Sequence, residues 1–407
     1  MKRLFKFSSL RGQNKSDQTM SSKHRICTKM PRLLLFFWLL ASQLALSLGI
    51  QTNGKTQEPR CTYLPVDTRD IANTNYFHLA KSLTIETGTT YRYIISRPSE
   101  PEKPWILFIH GFPSTSFDWR NQIEYFTTRG YGVIAPDLLG YGGTDKPHDL
   151  ERFALKAMVK ELMQLLDCEG IDKVFAVGHD FGSVVLSRVT SYASDRLRGA
   201  AFVGVGYAAP PLAFNQAGVE IANNATLKSL GYPAFGYWYF MNSDDVAPIM
   251  DANMDSAFTL TYTDTPEYMR EHFSPVGRYK QWLLDGRIAP WTKYLEPDAK
   301  SIFKRITLFN GGFDGPVKSY KSLMRDINLS DEKVLKKKTI DGPVLLLTAT
   351  NDPVAIPDGQ IKNTEPFAKN IRIKSINAGH FLQVEQPYQV SKQIQLFVDD
   401  VLGSTFP

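Results

Sequence analysis

Three side chains, Asp180, Asp352 and His380, have types and an order along the chain that could do chemistry together. Asp180 lies at the centre of Gly178-His179-Asp180-Phe181-Gly182, within the stretch VFAVGHDFGSVV (174–185). This stretch reads as a buried strand, a tight turn and the start of a helix. A small-x-nucleophile-x-small turn holds its central residue in strained backbone angles, and glycines flank it because a Cβ would clash. A carboxylate in that seat gains little from an ester carbonyl, since the product is an anhydride. At a saturated carbon it forms an ordinary alkyl ester. The residue type therefore points to an epoxide or an alkyl halide as the electrophile.

Releasing such an ester needs a base and an acid to orient it, in the chain order nucleophile, acid, histidine. TATNDPV places Asp352 just past one expected strand, and INAGHF places His380 just past the next. His380 would take a proton from water while Asp352 fixes its tautomer and stabilises the cation. His179 is the alternative base, but neighbours of the central residue in such a turn point away from it. The bland reading of Asp180 is a cap on the following helix. FIHGFPSTSFDW (108–119) supplies a further part. The backbone N–H groups of Phe112 and Phe181 are expected to form an oxyanion hole, and their rings to keep the pocket dry. Asp137, in APDLLGYGGTD, is expected to orient a loop.

The elements around these residues alternate strand and helix. LTIETGTTYRYIIS (83–96) reads as a hairpin around Thr87-Gly88. WILFIH (105–110), YGVIAPD (131–137), KVFAVGH (173–179) and GAAFVGVG (199–206) are apolar runs suited to strands buried on both faces of a parallel sheet. The segments 150–167 and 182–194 carry helical spacing. From Tyr207 to about Thr339 the alternation stops and the composition turns aromatic and Met-rich. It resumes with PVLLLTAT (343–350), IRIKSINAG (371–379) and a closing helix over 388–402. That pattern is a doubly wound sheet carrying a helical insertion over the carboxyl ends of its strands, where such sheets bind ligands.

The chain has 407 residues and a formal net charge of +6. Residues 1–50 hold nine Lys/Arg and one acid, Asp17, a net +8; the other 38 basic and 40 acidic residues leave the body at −2. No basic stripe points to nucleic acid. Residues 33–48, LLLFFWLLASQLALSL, follow a basic flank and are shorter than a membrane span. They read as a cleaved signal peptide or a retained anchor, with Met30 as an alternative start. The expected location is the secretory pathway, secreted or held at a membrane through this segment. Cys61 and Cys168 would remain after cleavage, paired or free. No ligand spacing implies a metal, and no cofactor is expected. Asn224-Ala-Thr226 and Asn328-Leu-Ser330 are glycosylation sequons. The oligomeric state is left open.

The motifs HGFP, WRNQI (119–123), APDLLGYGGTD, GHDFG, GFDGPVKSY and AGHFLQVEQP, in that order, resemble the epoxide hydrolases of the α/β-hydrolase fold, soluble type, across roughly residues 76–405. The resemblance implies a mostly parallel eight-stranded sheet with a helical cap inserted after strand 6. The core would run over 51–206 and 339–407, and the cap over 207–338. It also implies two cap tyrosines that donate hydrogen bonds to the epoxide oxygen. FGYWYF (235–240) points to Tyr237, with Tyr239 if the register slips, and GGFDGPVKSY points to Tyr320. His110, Phe112, Trp119, Phe181, Trp238 and Tyr239 are expected at the substrate. Phe181 and Phe112 stand where haloalkane dehalogenases carry halide donors, which sets the dehalogenase alternative second. A non-catalytic ligand-binding protein on the same fold is the third reading. The expected substrate is a small apolar epoxide, with water, in detoxification or secondary metabolism.

Overall fold

The computed structural model describes residues 60–403, so the apolar segment 33–48, with the signal or anchor expected there, lies outside the described residues. Among the described residues no helix is long and apolar enough to cross a membrane.

A single nine-stranded sheet runs in the order β1-β2-β3-β5-β4-β6-β7-β8-β9. The hairpin β2 (Ala80–Thr84) and β3 (Thr90–Ser96) is antiparallel, and β3 pairs antiparallel with β5 (Gly132–Pro136). From there every pairing is parallel: β4 (Trp105–Ile109), β6 (Val174–His179), β7 (Leu197–Val203), β8 (Val344–Ala349) and β9 (Ile371–Ile376). Every residue of β5, β6 and β8 is buried. This is why they read as unbroken apolar runs: helices cover both faces, so no side chain meets water. Helices α1 (Arg120–Thr127), α2 (Leu155–Cys168), α3 (Phe181–Tyr192) and the closing Pro387–Leu402 do the covering.

The expected eight strands are nine. The extra one, β1 (Thr62–Leu64), is three residues long and wholly exposed, so it carries no hydrophobic pattern to read. It lies antiparallel on β2 and is tied down by a disulfide between Cys61 and Cys168, 107 residues apart. The Tyr63 hydroxyl also donates to the Cys168 carbonyl, 3.0 Å away.

Between β7 and β8 there is no strand among the described residues, and helices run from Gln216 to Lys333. They pack onto the loops at the carboxyl edge of the sheet through aromatic rings. Tyr262 stacks near Phe381 at 4.2 Å, Phe303 meets Phe117 edge-on at 5.2 Å, and Phe112 meets Tyr320 edge-on at 5.1 Å. The Tyr262 hydroxyl donates to Asp118 at 2.9 Å, and Ser114 bonds the same carboxyl. Burial pushes the Asp118 carboxyl up to about 6.

Candidate active site

β6 ends at His179 and α3 begins at Phe181, so Asp180 alone makes the turn between them. It sits at φ 52° and ψ −122°, a conformation that costs a side-chain-bearing residue about 1–3 kcal/mol. The turn closes only because its flanks lack side chains. A Cβ on Gly178 would lie 2.5 Å from the Gly182 carbonyl oxygen, and one on Gly182 would lie 2.1 Å from the Ile109 carbonyl oxygen. In exchange, the carboxylate is raised off the sheet edge into a cavity of about 380 Å³.

Two loops meet it there. The Phe112 N–H donates to Asp180 Oδ1 at 2.9 Å. The Phe181 N–H is the first of helix α3, where no intrahelical carbonyl is available to accept it. On the other side, His380 Nε2 lies 3.5 Å from Asp180 Oδ2. His380 Nδ1 is 2.7 Å from Asp352 Oδ2, and Asp352 Oδ1 accepts the N–H groups of Val354 and Ala355 at 2.8 and 2.9 Å. Asp352 and His380 stand just past the carboxyl ends of β8 and β9. Asp180, Asp352 and His380 thus come from the carboxyl ends of β6, β8 and β9, with β7 lying between the first two.

Burial works against a charged imidazole, but Asp352 and Asp180 outweigh it and push His380 up to about 10. Burial likewise works to raise both carboxyls, and the imidazole outweighs it and holds each below the ordinary carboxylate value. The resting arrangement is carboxylate, imidazolium, carboxylate.

His179 is buried behind this group. Its Nε2 donates to the His380 carbonyl at 2.9 Å, and its Nδ1 accepts from Gln383 at 3.3 Å. Burial first, then the charge of His380, push its pKa down to about 4. With both ring nitrogens engaged, His179 braces the His380 loop. Asp137 accepts the N–H groups of Ser116 and Gly143 at 2.9 and 3.0 Å and is 2.8 Å from the Arg92 guanidinium. It anchors two loops.

Tyr237 opens helix α4 (Tyr237–Met241) and Tyr320 lies within α5 (Asp314–Met324). Their ring centroids are 6.0 Å apart, and both line the cavity that Asp180 faces. Burial above all, with the nearby Asp180 charge, raises both phenols above their ordinary value, so both stay protonated donors. Trp238 also lines the cavity, and its indole ring lies 4.7 Å from that of Tyr320.

Four expected contacts are elsewhere. His110 donates from Nδ1 to the Gly111 carbonyl and accepts the Leu138 N–H at Nε2, both at 2.9 Å, so both ring nitrogens are consumed in joining two loops. Trp119 is fully buried in the core, its ring 4.9 Å from that of Phe108, and is outside the cavity wall. Tyr239 is not in the cavity wall. Two positions along a helix from Tyr237 turn it through about 200°, away from Asp180. The Phe112 ring packs on Tyr320 and Phe313 and is likewise outside the wall, although its N–H reaches Asp180.

The rest of the wall has no motif. Val205 to Ala209, Leu212 and Phe214 form one side, and Gln360, Lys362, Asn363 and Phe367 another. A buried ion pair holds the first side in place. Arg188 Nε and Nη2 bond the Glu332 carboxylate at 2.5 and 3.0 Å, and Arg188 Nη1 donates to the Ala208 carbonyl at 2.5 Å. Glu332 also accepts the Leu212 N–H at 2.6 Å. A basic residue inside the apolar run GSVVLSRVTSY is the signal that could have found it, because a buried charge needs a partner. Among the described residues no cluster of His, Cys, Asp and Glu could hold a metal ion.

The α/β-hydrolase fold family matches residues 104–224. Epoxide hydrolase 3 of Siraitia grosvenorii is 36% identical over 340 residues, which cover 78% of this chain and 98% of that protein. The mouse bifunctional epoxide hydrolase 2 is 26% identical over 71% of this chain. The chain spans about half the length of it and of its rat counterpart. The crystal structure of epoxide hydrolase A from Mycobacterium thermoresistibile, 23% identical, covers 79% of this chain and 98% of its own, with a TM-score of 0.64, which speaks to the fold alone. At 36% identity across nearly the whole of a relative, the chain belongs to the epoxide hydrolase family of the α/β-hydrolase fold.

Proposed function

We propose that this protein adds water to an apolar epoxide, giving a vicinal diol through an alkyl ester on Asp180. The observation that carries the reading is that the cavity receiving the Asp180 carboxylate also receives two protonated tyrosines, while His380 stands 3.5 Å behind the carboxylate. Asp180 Oδ2 attacks one oxirane carbon. As the ring C–O bond breaks, Tyr237 and Tyr320 hydrogen-bond the oxygen and one passes it a proton. The Asp180 charge is then gone, and with it part of what holds the His380 proton, which passes by way of solvent to the tyrosinate. The neutral imidazole takes a proton from water, which attacks Asp180 Cγ. Oδ1, held by the Phe112 N–H with the Phe181 N–H beside it, bears the tetrahedral charge. Collapse expels the diol oxygen, protonated by His380, and the new carboxyl proton passes to His380, which restores the carboxylate and the imidazolium.

The test is a single turnover in heavy-oxygen water with excess enzyme. The first diol formed should carry no solvent oxygen, and the label should appear in Asp180. A labelled first diol removes Asp180 as nucleophile. Halide release from haloalkanes with no diol from epoxides would instead favour the dehalogenase alternative. The disulfide supports an oxidising compartment for the chain, which agrees with the secretory reading of its first 50 residues.

A further inference from the structure

The two glycosylation sequons among the described residues differ in what the fold does with them. Asn224 lies in the helix Gln216–Leu230, whose inward face is Val219, Asn223 and Thr226 at helical spacing. Asn223 Oδ1 accepts the Phe235 N–H at 2.8 Å, and Thr226 Oγ1 accepts the Ala234 N–H at 3.0 Å. Asn224 falls outside that face and its side chain is exposed. Asn328 is 4% exposed, and its Oδ1 accepts the Leu155 N–H at 2.6 Å, capping the first turn of α2. Its Nδ2, the atom that would carry a sugar, is buried with no hydrogen-bond partner.

A sugar is attached to the extended chain before folding, so the fold selects afterwards. A glycan on Asn224 leaves every packed group of its helix in place. One on Asn328 would have to enter the contact between Leu155 and the end of the insertion, breaking the cap and opening the interior. Such a chain would not reach the native state. The Cys61–Cys168 disulfide ties the first described residues to the core and belongs to an oxidising compartment, and the secretory route read from the first 50 residues is the one in which sequons meet the modifying machinery. We propose that the folded protein carries an N-linked oligosaccharide on Asn224 and none on Asn328. This goes beyond the catalytic reading and is independent of it.

The experiment expresses the full chain in a eukaryotic secretory host and measures the intact mass of the folded protein before and after peptide N-glycosidase in heavy-oxygen water. One glycan should be lost, and peptide mapping should find a labelled aspartate at 224 and unmodified Asn at 328. Asn224→Gln should abolish the mass change while leaving diol formation as it was. Mapping the unaltered chain gives the answer at 328 even where Asn328→Gln fails to fold. A folded, disulfide-bonded protein unchanged by the glycosidase overturns the proposal, as does a label at 328. Free thiols at Cys61 and Cys168 with no glycan overturn it through its compartment premise. None of these results touches the role of Asp180.

Discussion

His380 is held between two carboxylates, but its contact with Asp180, 3.5 Å from Nε2 to Oδ2, can last only while Asp180 is unesterified. Its contact with Asp352, 2.7 Å from Nδ1, persists throughout. The free enzyme stores a proton on an imidazole whose pKa is pushed up to about 10, and alkylation removes one of the two charges that put it there. In the proposed reaction, alkylation of Asp180 thereby converts the histidine from a cation into a base.

His380→Gln should leave alkylation in place and block the second step. An adduct of one epoxide per chain should accumulate in intact mass spectra, with turnover reduced at least a hundredfold. An adduct-free variant that still makes diol would remove His380 from the base role.

The pH dependence should differ between the two half-reactions. Asp180 is held below the ordinary carboxylate value and both tyrosines above the ordinary phenol value, so the alkylation rate should stay flat from about pH 5 to pH 9. Ester hydrolysis needs neutral His380 and should rise with pH. Without the Asp180 charge, its midpoint should fall below the value near 10 of the free enzyme. Stopped-flow traces across this range separate the two rates. A hydrolysis midpoint equal to that of the free enzyme would contradict the charge argument.

Tyr320→Phe should slow alkylation by about ten- to a thousandfold, the scale for losing one donor to a developing oxyanion. Tyr237→Phe should do the same, and Tyr239→Phe should not, because Tyr239 is outside the cavity wall. Equal losses in all three variants would indicate packing rather than donation.

Glu332→Gln should lower stability by about 3–5 kcal/mol, because it leaves the Arg188 guanidinium buried without its countercharge. Urea titration should show a lower midpoint at unchanged slope. KM should rise as well, since Ala208 and Leu212 of the wall hang on this pair. The double variant Arg188→Met, Glu332→Leu should recover stability without recovering KM. A stability loss with unchanged KM would show that the wall keeps its shape without the pair.

Asp180, Asp352 and His380 were legible because each occupies a position that strand–turn chemistry marks: a glycine-flanked turn, and two residues just past apolar runs. The buried parallel strands were legible for a related reason, that a strand covered on both faces has no polar positions. Strand β1 was not, since three exposed residues held by a distant cysteine leave no local pattern. Trp119 and His110 stand in motifs that are local in sequence, but whether such a residue faces ligand or core depends on which surface its loop presents. The structure turns both inward.

Residue type alone pointed to the class of electrophile proposed here, because a carboxylate nucleophile is productive only at saturated carbon, and periodicity alone determined the layered sheet that carries it. Tertiary structure decided everything set by contacts between distant segments. It raised the His380 pKa between two carboxylates, neutralised His179 by burial, seated Tyr237 and Tyr320 in one cavity, and shaped the wall through Arg188 and Glu332, 144 residues apart. Charge and burial act through space, and the chain brings these groups together only when it folds.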